Sequence, residues 1–83
     1  MKQYRYDPKY DVLYIHLRRG KIARTDMLGP DELRQVDYDE AGRPLGVELF
    51  AVKRGIKLTG LPQPESIREV VEHLGLEAAI GHE

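Results

Sequence analysis

A change of hydrophobic period near residue 53 constrains this chain more than any other feature it carries. Ahead of it, apolar side chains recur every second residue, as a β-strand requires; beyond residue 63 they recur at helical spacing. Tyr4 and Tyr6 alternate with Gln3 and Arg5, and Asp7-Pro8-Lys9-Tyr10 supplies turn chemistry, the fixed φ of Pro8 suiting a type I turn. In Val12-Leu13-Tyr14-Ile15-His16-Leu17, Leu13, Ile15 and Leu17 share one face while Val12, Tyr14 and His16 share the other. Two substantially apolar faces describe a central strand covered on both sides.

Arg18-Arg19-Gly20-Lys21 reads as a hairpin turn, followed by a third strand over residues 22–27, a break at Leu28-Gly29-Pro30-Asp31, and a last pair over residues 33–39 and 45–50. From Pro64, a residue suited to a first helical turn, Ile67, Val70, Val71 and Leu74 fall at i, i+3, i+4 and i+7. Ser66 with Glu69 offers an alternative capping box, and Gly75 can close the helix. The stripe can serve the core or a partner helix; residues 76–80 are expected to add a turn, and the last three to fray. The expectation is one α+β domain over residues 1–83. An antiparallel β-meander of four to five strands occupies residues 1–52, a connector 53–63, and a C-terminal amphipathic helical segment 64–80 packs on the sheet.

Eighty-three residues can bury one modest core, and with no cysteine to staple it, self-association as a homodimer is expected. The same lack of cysteine removes thiol catalysis and thiolate metal sites, and small secreted domains usually need disulfides, so a cytoplasmic setting is expected. No apolar run approaches the roughly 20 residues that cross a bilayer, and the basic N-terminus lacks the apolar stretch of a secretion signal, so no membrane role is expected.

Charge is divided along the chain: residues 1–24 hold seven Lys/Arg against two acidic residues, and residues 25–83 hold six against twelve. Arg18, Arg19, Lys21 and Arg24 form the concentrated basic feature, able to meet phosphates or an acidic protein surface, with the nearby tyrosines available for stacking.

Residues 36–50, VDYDEAGRPLGVELF, admit two readings. Counted from Asp37, Asp39, Gly42 and Glu48 take the third, sixth and twelfth places of a calcium loop. Ala41 sits where a fifth-place oxygen is wanted, and both flanks alternate as strands do, so a hairpin through Asp39-Glu40-Ala41-Gly42 accounts for more residues. His16, His73 and His82 lack zinc spacing, the single Ser and two Thr lack a nucleophile-elbow pattern, and residues 55–60 lack P-loop order. No catalytic residue, metal ligand or cofactor is nominated.

Tyr6-Asp7-Pro8, then Asp11-Val12-Leu13-Tyr14-Ile15 with its basic Gly turn, then Val36-Asp37-Tyr38-Asp39-Glu40, Gly42-Arg43 and Gly46-Val47-Glu48 occur together in a fixed order. Over about residues 4–52 the chain resembles the small prokaryotic family called domain of unknown function 2283. The resemblance implies a β-rich module with no established enzymatic activity. Some relatives are held to sit beside small toxin-like proteins, which implies an antitoxin-like role. The expected function is a non-enzymatic protein-interaction module. Two alternatives stay open: a nucleic-acid-binding module using the basic hairpin 16–24, and a small-molecule or cation-binding protein using Asp37, Asp39 and Glu48.

Overall fold

A computed structural model of the chain describes residues 1–76. Its strands are β1 (Tyr4–Asp7), β2 (Val12–His16), β3 (Arg24–Leu28), β4 (Arg34–Tyr38) and β5 (Pro44–Phe50), followed by a 3-10 turn (Val52–Arg54) and the helix α1 (Pro64–His73). The chain is therefore α+β, with one antiparallel five-stranded sheet in the order β1-β2-β5-β4-β3. Meander pairing joins β1 to β2 and runs through β3, β4 and β5. The remaining pairing brings β2 against β5, from Val12↔Phe50 to His16↔Gly46.

That pairing corrects the reading of residues 18–21 as a hairpin turn. Both edges of β2 are occupied, by β1 and β5, so β3 has no place beside it and lies at the far edge of the sheet. Residues 17–23 cross the ends of β5 and β4 to reach it: Leu17 N and Arg18 N both donate to Leu45 O, and Ala23 N donates to Tyr38 O. Gly20 makes the close pass over β5, because a Cβ there would lie 2.8 Å from Leu45 Cδ2.

The most enclosed strand is β5, where Leu45, Gly46, Val47 and Leu49 are all buried. Coverage of β2 is one-sided instead: Leu13 and Ile15 are buried, Val12 and Tyr14 are half-buried, and His16 is exposed. The apolar residues on its second face are thus a thin layer over an otherwise open sheet surface.

On the covered face, Leu13, Ile15, Val36, Val47 and Leu49 belong to one buried cluster with Val52, Ile56, Leu58, Leu61, Ile67, Val70 and Val71. The connector is thereby part of the core despite its irregular backbone. Of the helical stripe, Ile67, Val70 and Val71 are fully buried and Leu74 is partly buried against them. Burying each such side chain contributes about 1.5–3 kcal/mol.

Pro64 opens α1 as expected, but the residue before it, Gln63, is the N-cap and makes no side-chain capping bond, so the Ser66/Glu69 box is not used. At the other end Gly75 N bonds Glu72 O and Leu76 N bonds Val71 O, with Gly75 at φ 74. This paired closure satisfies two terminal carbonyls and stops the helix. From residue 77 onward, the expected extra turn and the fraying end lie outside the described residues.

Candidate functional site

The open face of the sheet is organised around a hydrogen-bond network that spans four strands. Tyr14 starts on β2 opposite Glu48 of β5. Its side chain crosses β5 and its hydroxyl donates to Asp37 Oδ2 on β4 at 2.8 Å, while Thr25 on β3 donates from Oγ1 to Asp37 Oδ1 at 2.5 Å. The crossing is possible because residue 46 is glycine: a Cβ there would collide with Tyr14 Oη, lie 2.7 Å from Tyr14 Cζ and 3.0 Å from Ile15 O. His16 packs edge-on to the Tyr14 ring, with centroids 4.8 Å apart. Burial, and then the bond to Asp37 with that carboxylate's charge, push the Tyr14 hydroxyl above the ordinary tyrosine range. It stays protonated and acts as a donor.

The sequence carries one signal of this network. A glycine between Leu45 and Val47, inside an otherwise apolar strand, marks a place where something approaches the backbone closely. The alternation identifies Tyr14 and Asp37 as face residues, but only the β2–β5–β4 order puts them across one intervening strand.

At one end the open face runs into the basic crossover. A recess of about 580 Å³ is lined by Lys2, Tyr14, His16, Arg18, Arg19 and Ile22 among others. Lys2 Nζ donates to Leu17 O at 3.3 Å, which holds the N-terminal segment at the rim. Arg18, Arg19 and Lys21 are exposed and make no ion pair with any described residue. Lys21 faces a second groove, shared with Arg19 and with the Asp39–Arg43 turn.

Arg24 stands apart from the other three basic residues. Its guanidinium lies 4.3 Å from the Tyr38 ring centroid and its Nε contacts Asp26 Oδ2 at 3.3 Å. The structure thus groups Arg18 and Arg19 with Lys2 and His16, places Lys21 one groove away, and engages Arg24 on the β3 edge.

The stretch 36–50 forms the hairpin. Gly42 N bonds Asp39 O at 3.0 Å and Gly42 has φ 84, the left-handed conformation that closes a type I turn into a bulge. Asp39 is committed to that turn: Oδ1 accepts from Ala41 N at 3.0 Å and Arg43 N at 2.8 Å, and Oδ2 accepts from Arg43 Nε at 2.8 Å. The Arg43 amide, its side chain and the Ala41 amide together hold the carboxyl below its usual range, against the opposing effect of burial. Asp37 is bonded by Tyr14 and Thr25. Among the described residues no three His, Asp or Glu side chains gather into a metal-holding group, so Asp37, Asp39 and Glu48 do not converge.

Against known families, residues 3–53 match the one described as protein of unknown function (DUF2283). This chain belongs to that family. The DUF2283 match takes in all five strands, the basic crossover and the Tyr14–Asp37–Thr25 network, and ends within the 3-10 turn ahead of α1. No curated protein and no solved structure matches the chain. Among the described residues no helix is long and apolar enough to cross a membrane.

Proposed function

We propose that this DUF2283 chain is a non-enzymatic interaction module that takes an acidic protein surface at the basic end of its open sheet face, working in the cytoplasm in an antitoxin-like manner. The observation that carries this reading is the recess where Lys2, His16, Arg18 and Arg19 meet the Tyr14 side of the sheet. Arg18 and Arg19, exposed and without an ion pair to any described residue, are groups an acidic surface can neutralise, and Tyr14 and Ile22 in the same recess offer apolar contact area. In this reading α1 is docked on the covered face, which leaves the opposite face for the partner.

The test is quantitative capture from nuclease-treated lysate of the source cell, comparing wild type with the Arg18→Glu/Arg19→Glu variant. A protein retained by wild type and lost from the variant is expected. Equal retention by both, or loss of every partner on nuclease treatment, contradicts the reading; the latter result transfers the basic residues to nucleic acid.

Self-association belongs to the same proposal, and the β3 edge supports it. All of β3 except Leu28 is exposed, and among the described residues no strand lies on its outer side. Antiparallel pairing with a second copy centred on Thr25 sets Arg24 against the other copy's Asp26, a favourable cross-strand charge pair. Sedimentation of wild type is expected to give a dimer, of Arg24→Asp a weakened one, and of Arg24→Asp/Asp26→Arg a restored one. A monomer for all three excludes this edge contact.

A further inference from the structure

At the end of the sheet where β4 starts and β5 stops, a cleft of about 290 Å³ lies between the β3–β4 connection, the end of β5 and the connector. Among the described residues its lining sets Arg34, Arg54 and Lys57 against one carboxylate, that of Asp31, with Leu33, Phe50 and Ile56 supplying an apolar and aromatic wall. In a chain of formal net charge −1, the described lining carries a local excess of two positive charges.

Arg34 is the informative residue. Its Nη1 donates to Thr59 O and, at 3.2 Å, to Lys57 O, so two backbone carbonyls fix the guanidinium. Its Nε is shielded from solvent and has no hydrogen-bond partner among the described residues. No described carboxylate approaches within ion-pair distance; Asp31 instead spends its Oδ1 on Leu33 N at 3.1 Å. A half-buried cation held rigidly with an unused donor and no counter-ion is costly alone, and an anion beside it removes the cost. Arg54 and Lys57, both exposed, flank the same cleft and add to the field there.

We infer that this cleft binds a small molecule carrying a phosphate or carboxylate group on an apolar body, with Arg34, Arg54 and Lys57 receiving the anion and Phe50 with Ile56 contacting the body. The volume lies at the lower end of small-ligand sites and suits a compact ligand. The inference does not depend on the interaction reading above, because it uses none of the basic residues of the crossover.

The experiment is an NMR titration of the full chain at matched ionic strength, with phenyl phosphate, benzoate, inorganic phosphate and, as neutral control, benzyl alcohol. It follows backbone amides together with the Arg34 Nε–H resonance. Saturable shifts of the Arg34 Nε–H and of the Leu33, Gly55, Ile56 and Lys57 amides with phenyl phosphate or benzoate are expected, and which of the two binds tighter identifies the anionic group. Arg54→Glu/Lys57→Glu alters only exposed side chains and is expected to weaken binding at least about tenfold while leaving other resonances in place. The proposal is overturned if no probe saturates below about 10 mM, if benzyl alcohol binds as well as the anions, if shifts map to residues 16–21 instead, or if the double variant binds unchanged.

Discussion

Gly46 and Tyr14 are coupled by one steric fact, the Tyr14 ring lying where a residue-46 Cβ would stand. Gly46→Ala is expected to destabilise by about 1–3 kcal/mol, as overpacking does, and by clearly less in a Tyr14→Ala background. Urea unfolding of the double-mutant cycle measures the difference. Tyr14 also makes a pH prediction. Its hydroxyl is raised in the folded state, so its contribution is complete below the unfolded tyrosine value of about 10 and is lost as pH climbs from there through the folded value. Tyr14→Phe should remove that alkaline loss, seen by UV titration alongside thermal unfolding. Asp39 has the opposite sign: its carboxyl is lowered, so its contribution is present above about pH 4 and is lost on acidification through the folded value. Asp39→Ala is therefore expected to lower the melting temperature at neutral pH and to converge on wild type in acid. The turn around Asp39 could be read from Asp-x-x-Gly between alternating flanks, since that chemistry is local. The Tyr14–Asp37 bond could not, because it depends on which strand stands between the two residues.

At the scale of elements, the five strands and the helix lie close to where the periodicity puts them, and the misreading lies in a connection. Arg18-Arg19-Gly20-Lys21 has turn composition, and composition says that a chain bends without saying how far it then travels. What sends β3 to the far edge is β5, whose apolar residues Leu45, Val47 and Leu49 are buried between β2 and β4. A basic, exposed crossover results where a hairpin was expected. Helix α1 carries its own prediction. Ile67 and Val70 are fully buried, so Ile67→Ala is expected to cost about 2–5 kcal/mol, whereas replacing the exposed Arg68 by Ala should change stability by under about 0.5 kcal/mol. Denaturant midpoints of the two variants separate a core stripe from a free one.

Across the whole molecule, one sheet face is consumed by the core and the other keeps its polar network, half-buried apolar residues and basic end. The charge division seen along the chain becomes spatial, because the crossover collects Arg18 and Arg19 beside Lys2 and His16. In the helical stripe, Ile67, Val70 and Val71 are buried. The open face and its basic rim are left as the surface on which the proposed activity rests. Hydrogen exchange on the complex captured from lysate tests this placement most directly. The account predicts new protection in residues 12–21 with residues 64–73 unchanged; protection confined to the helix, with residues 12–21 exchanging as in the free protein, would contradict it.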